Sequence, residues 1–229
     1  MMIRRCCTSL LLLLVSVPFL VELGGCNVLT AVSFVARPEP KTEAAYELAD
    51  VPTVVFIDDR RNRISPTRLR RTIAEEATTI LMEEEVISES NMIPARDAIR
   101  VSSKHDRAGN LLSVHAIGEA VGASQIIFVS VDQFALTRDG QTPEPQARCR
   151  VRVIDVKDEK RLFPDPAGNS TYDYYQLKVD IPNVDPHGFN TISTRNDLND
   201  RLAIETGDQI AKIFYTHITS ELGGRIEPR

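Results

Sequence analysis

The sequence predicts an α/β (α+β) domain, a single mixed sheet of about four to five strands packed by three main helices. Three observations predict it. Thr53–Ile57 and Ile126–Val131 are short unbroken runs of β-branched and aromatic residues, the composition of strands buried on both faces. Leu69, Ile73, Ala77, Ile80 and Leu81 recur at helical spacing. Asp139-Gly140 lies between two strand-like runs and reads as a hairpin turn.

Ahead of that domain stands a leader. Arg4 and Arg5 give a positive start, and an apolar run from Leu10 to Val21 follows, broken only by Ser16 and Pro18. This matches a secretory signal and is short of the ~20 residues that span a bilayer core. Leu23-Gly24-Gly25-Cys26 then has the order of a lipobox. Leu23 suits an apolar pocket, the glycines let the backbone lie flat in a protease cleft, and Cys26 supplies the thiolate that takes up lipid. Residues 1–25 therefore read as a cleaved signal peptide and Cys26 as the lipid attachment site. Asn27 is not the Asp that holds many enteric lipoproteins at the inner membrane, so an outer-membrane anchor facing the periplasm is expected. Residues 26–51 read as a tether, with Arg37-Pro38-Glu39-Pro40 favouring extended backbone and Thr42–Ala49 as a short helix.

The domain is expected over residues 52–222. After Thr53–Ile57, Asp58 and Asp59 end the strand, and Ser65-Pro66 offers an N-cap followed by proline at the first helical position. Arginines early in this helix and Glu83-Glu84-Glu85 late oppose its dipole, so packing must hold it. Ala98–Ser102 reads as a short strand, Leu111–Val121 as a helix closed by Gly122, and Ile126–Thr137 as the strongest strand. Gln146–Val156 returns after the Asp-Gly turn, Asp155–Lys160 turns again, and Tyr172–Ile181 reads as an edge strand. A last helix, Asp197–Leu222, presents Leu198, Leu202, Ile210, Ile213, Phe214 and Ile218 on one face. Gly223-Gly224 stops it, leaving 223–229 as a tail.

Charge and cysteine content narrow the function. The chain carries 27 basic and 32 acidic side chains, which gives no basic face for nucleic acid. Its 42% hydrophobic content belongs to a globular protein rather than a disordered one. Cys6 and Cys7 leave with the signal and Cys26 is acylated, so Cys149 has no intramolecular disulfide partner. Cys149 alternates with Ala147, Val151 and Val153 and reads as a small buried strand residue rather than a nucleophile. His105, His115, His187 and His217 form no zinc motif, and no serine sits in a nucleophile elbow. No catalytic residue, metal or cofactor is assigned.

Two clusters carry candidate chemistry. Asp58-Asp59 ends a buried strand, where α/β proteins place metal- or phosphate-handling carboxylates. A metal-dependent hydrolase built on this pair is the alternative to a non-enzymatic reading, although no glycine-rich phosphate loop follows it. Arg148, Arg150 and Arg152 project from one face of a strand and require acids on neighbouring strands, solvent or an acidic partner. Asp132 on the adjacent strand is one such acid, and the stripe is the candidate partner-binding surface.

The segments Ile117-Gly118-Glu119-Ala120-Val121-Gly122-Ala123-Ser124-Gln125-Ile126-Ile127-Phe128-Val129-Ser130-Val131 and Arg150-Val151-Arg152-Val153-Ile154-Asp155-Val156-Lys157-Asp158 resemble a domain of the bacterial envelope. It is shared by the curli-secretion lipoprotein, the lipoprotein activators of penicillin-binding proteins and the amino-terminal domain of the Tol-system translocation protein B. The resemblance covers Pro52–Val156 and the terminal helix, whereas Leu162–Thr194 has no counterpart. It implies a non-enzymatic module that docks protein partners. The combined expectation is a lipid-anchored envelope lipoprotein that acts as an accessory or scaffold.

Overall fold

The computed structural model describes residues 40–219, except 108, 110, 169–171 and 187–188. The expected leader, Cys26, Gly223-Gly224 and the tail 223–229 lie outside these residues.

The described elements run β1 (Lys41–Thr42), β2 (Thr53–Asp58), α1 (Arg68–Glu83), β3 (Met92–Ile93), α2 (Ala95–Arg107), α3 (Val114–Val121), β4 (Gln125–Thr137), β5 (Pro143–Asp155), β6 (Arg161–Phe163), β7 (Tyr175–Asp180), α4 (Ile192–Ala211) and β8 (His217–Ile218). Six strands form one mixed sheet in the order β3-β2-β4-β5, with both β6 and β7 pairing β5. β2 is parallel to β3 and β4, and the remaining pairs are antiparallel. A separate ribbon pairs β1 with β8. The fold class is therefore the expected α+β, with a six-stranded sheet and four helices where fewer of each were expected.

Both faces of the sheet bear helices. Val55, Ile57, Ile127, Val129, Cys149, Val151 and Val153 point into the larger core, where α1 and α4 contribute Leu69, Ile73, Leu81, Leu202 and Ile210. The two helices approach so closely at Gly207 that a Cβ there would stand 2.7 Å from the carbonyl oxygen of Ile73. Packing of this kind holds α1, which has no acid in its first turn and no base in its last. Val54, Phe56, Ile126, Phe128 and Ile154 point the other way, under Ala98 of α2 and Ile117 of α3.

Several local expectations are corrected. The stretch Ala98–Ser102 is helical rather than a strand, because its buried residues Ala95, Ala98 and Ser102 follow spacings of three and four. The short strand of this region is Met92–Ile93, ahead of Pro94. α1 starts at Arg68 after Thr67, not at Ser65-Pro66. Buried Ile64 and the Asp59 carboxylate, which accepts from the Arg63 and Ile64 backbone N–H groups, hold the chain in a loop until then.

Residues 43–49 form no helix. Tyr46 and Leu48 turn inward at strand-like spacing and pack on the larger core, and the Ala45 N–H donates to the Ile213 carbonyl at 2.8 Å. Residues 41–51, expected as part of the tether, thus belong to the fold. The last helix spans Ile192–Ala211, capped by Thr191, whose side chain accepts from the Thr194 N–H. It ends in a turn at Lys212–Phe214, after which Ile218 lies on β8, paired with Lys41 and 54% exposed. β6 places the Phe163 ring at 5.3 Å from the Tyr46 ring and 5.5 Å from that of Tyr175.

The hairpin forms as the pattern predicts. Gly140 takes φ 84°, and Asp139 accepts from the Gln141 and Thr142 N–H groups and the Thr142 hydroxyl. These bonds hold its carboxyl down at about 2.

Candidate functional site

β5 alternates as expected. Ala147, Cys149, Val151 and Val153 enter the larger core, and Arg148, Arg150 and Arg152 emerge on the opposite face. Burial pushes the Cys149 thiol up to about 12, with Asp132 adding to the effect, so Cys149 is uncharged at neutral pH and carries no nucleophile. The arginine face is continued by Ser130, opposite Arg150, and by Gln176, Lys178 and Asp180 of β7.

The three arginines are treated differently. Arg150 pairs with Asp132 at 2.7 Å and lies over the Tyr174 ring at 5.3 Å. Asp132 reaches it from the irregularity in the β4–β5 register between Val131 and Gln133. Arg152 pairs with Asp173 at 2.8 Å. Arg148 instead donates from Nε to the Gln146 side chain at 3.0 Å, and no ion pair forms to it among the described residues. It lines an open depression of about 370 Å³ with Gln133, Arg138, Glu144, Gln146 and Lys178. Lys178 pairs with Asp180 at 2.8 Å, and Asp180 also accepts from Gln146. The end of this face farthest from α2 and α3 thus carries Arg138, Arg148 and Lys178 against Glu144 and Asp180.

The Asp58-Asp59 pair does not form a converging carboxylate site. Asp58 is the last residue of β2, whereas Asp59 lies in the loop that follows and turns its carboxylate onto that loop. Asp59 is buried, with one oxygen taken by the Arg63 N–H at 2.6 Å and the other by the Ile64 N–H at 2.9 Å. Asp58 faces Arg60 at 3.6 Å. Among the described residues no three His, Cys, Asp or Glu side chains are grouped to hold a metal. Asp59 is a loop clamp, a role hidden in the sequence because its bonds are to backbone groups four and five residues on.

A cleft of about 820 Å³ nevertheless opens beside this pair, lined in part by Asp59, Arg60, Arg68, Arg70, Arg71 and Asp106. Its position follows from topology. β2 connects to β3 through α1 on one face, and β3 connects to β4 through α2 and α3 on the other, so the helices diverge at the carboxyl end of β2. Arg70 is the least expected residue here. Its Nε donates to the Ile57 carbonyl at 2.5 Å, and its guanidinium lies over the Phe56 ring at 5.2 Å. Desolvation lowers its pKa, against the opposing pull of Asp58, Asp59 and Asp106. No spacing motif marks it, since it reads as one of several arginines on the first turns of a helix.

No helix of the described residues is long and apolar enough to cross a membrane. No protein-family model matches the chain, and no curated protein matches it. Similar solved structures include a hypothetical protein from Chlamydia trachomatis, 16% identical over 71% of this chain and 93% of that one, TM-score 0.38. A PelC dodecamer from Paraburkholderia phytofirmans is 10% identical over 78% and 99%, TM-score 0.39. A lipoprotein from Neisseria meningitidis is 14% identical over 70% and 94%, TM-score 0.34. Likenesses this slight carry no argument about function.

Proposed function

We propose that the protein is a non-enzymatic accessory module of the bacterial envelope, anchored by an acylated Cys26, whose open sheet face docks an acidic surface of another envelope protein. The observation that carries the docking reading is the unequal treatment of the arginine stripe. Arg150 and Arg152 are each matched by a carboxylate, whereas Arg148 has only an amide partner and stands beside Arg138 and Lys178 on a sheet surface outside the helix-covered core. Cross-strand pairs alone would account for a solvated face; the residual positive end favours an acidic partner.

The order of positive start, short apolar run and Leu23-Gly24-Gly25-Cys26 supports the anchor. With a lipid as the attachment, the domain is held at a membrane surface, and Asn27 favours the outer membrane with the domain in the periplasm. The resemblance to envelope docking domains points the same way. The alternative of a metal-dependent hydrolase gains no support from an Asp59 whose oxygens are both engaged by backbone.

Two experiments test the proposal. Metabolic labelling with palmitate is expected to mark the wild-type chain and to fail for Cys26→Ser, which should also leave the membrane fraction; a labelled, membrane-bound variant overturns the anchor. Replacing Arg148, Arg150 and Arg152 together by Gln is expected to remove a crosslinked partner while the domain stays folded. An unchanged partner profile overturns the docking surface.

A further inference from the structure

We infer that the cleft at the carboxyl end of β2 is an oxyanion site built on Arg70, and that it takes a small hydroxylated molecule carrying a phosphate or carboxylate group. This inference is independent of the docking reading. Its basis is the way Arg70 is held. The Nε bond to the Ile57 carbonyl and the Phe56 ring fix the guanidinium plane from one edge and one face. The terminal nitrogens have no hydrogen-bond acceptor among the described residues. A guanidinium immobilised in this manner offers a planar two-donor fork, which matches two oxygens of a phosphate or carboxylate and loses little further freedom on binding.

The neighbouring acids do not fill that fork. Asp59 spends both oxygens on backbone N–H groups, Asp58 faces Arg60, and Asp106 accepts from the Ser102 hydroxyl at 3.0 Å. Their charges offset the cost of burying the cation without occupying its donors. Arg60, Arg68 and Arg71 line the same cleft; Arg68 is paired with Asp200 at 2.6 Å and Arg60 faces Asp58, which leaves Arg70 and Arg71 as the cations with donors to offer. Arg60 is held on the wall by its bond to the Leu112 carbonyl at 2.5 Å. Arg71 reaches Glu75 only at 3.6 Å, beyond hydrogen-bond distance, so it can turn toward a ligand. Asp106 Oδ1 is buried with no hydrogen-bond partner among the described residues, and this acceptor calls for a donor such as a ligand hydroxyl. The cleft, at about 820 Å³, is of the size that holds a small organic molecule rather than a bare ion.

The test is a nuclear magnetic resonance titration of the full chain in detergent at constant ionic strength, following the Arg70 guanidinium Nε–H resonance. Glycerol 3-phosphate, lactate and glycerophosphoglycerol serve as probes for a free phosphate ester, a free carboxylate and a phospholipid headgroup. Saturable movement with at least one of them is expected, and the one that binds identifies the source. Arg70→Lys, which keeps the charge and loses the fork, is expected to weaken that probe by about tenfold, read from a neighbouring backbone resonance. Arg71→Gln, on the exposed rim, is expected to weaken it a few-fold without altering the urea midpoint, so the site is tested even where Arg70 variants unfold. No saturable binding of any probe overturns the inference, as does binding that neither substitution changes.

Discussion

One face of the sheet behaves as two surfaces. Under α2 and α3 it presents Val54, Phe56, Ile126, Phe128 and Ile154, all buried. Along β4 and β5, beyond those helices, it presents Ser130, Asp132, Arg148 and Arg150, with Lys178 beside Arg148 on β7. The register places the boundary within one pair of rows: Ile126 faces Ile154, Phe128 faces Arg152, and Ser130 faces Arg150. β4 and β5 thus outrun the helices above them, and their side chains change character where the cover ends. The opposite face shows no such change, since Ala147, Cys149, Val151 and Val153 remain apolar along β5.

Three measurements test this contrast. Ile126→Ala, in the covered half, removes a fully buried side chain between α3 and the sheet and is expected to cost about 2–5 kcal/mol in urea unfolding. A loss under about 1 kcal/mol would mean that the covered half is not a packed core.

Next in size is the pH response of Cys149. Its folded pKa is raised to about 12, while an unfolded thiol ionises at about 8.5. The contribution of the neutral thiol is full below the unfolded value and is lost as pH rises toward the folded one. Cys149→Ala is therefore expected to unfold with a smaller alkaline fall in stability than the wild type between roughly pH 9 and 12. Rapid alkylation of the native thiol at about pH 8, near the unperturbed thiol value, would contradict the burial.

Arg150→Gln should have the smallest effect. Its pair with Asp132 is partly exposed, 28% and 38%, and such pairs contribute about 0–1 kcal/mol. A cost of several kcal/mol would make the arginine stripe part of the fold's framework instead of an available surface.

Legibility in the sequence followed burial. β2, β4 and β5 were readable because a strand covered on both faces must be apolar throughout, and one covered on a single face must alternate. α3 was readable at its end, where Gly122 takes φ 75°. α2 was not, because its buried positions are Ala95, Ala98 and Ser102, too small to stand out as an apolar stripe. The β1–β8 ribbon joins two-residue segments far apart in the chain, and no local pattern announces such a pairing.

The candidate sites divide in the same way. The arginine stripe and its neighbour Asp132 were visible from alternation and strand adjacency. Asp173 was not, because it comes from the approach to β7 across a long loop. Arg70 was hidden as well: its neighbours Ile57 and Phe56 lie on another element, and only the fold brings them to it.

Docking through the arginine face is tested most directly by photocrosslinking in the native host from a probe at Gln133, beside Arg148, with a second probe at Ile204, an exposed position on α4. An adduct is expected from position 133 that maps to a carboxylate-rich segment of an envelope protein, disappears with Arg148→Glu, and has no counterpart from position 204. An adduct that survives Arg148→Glu, or the lack of one at 133, contradicts docking through this face.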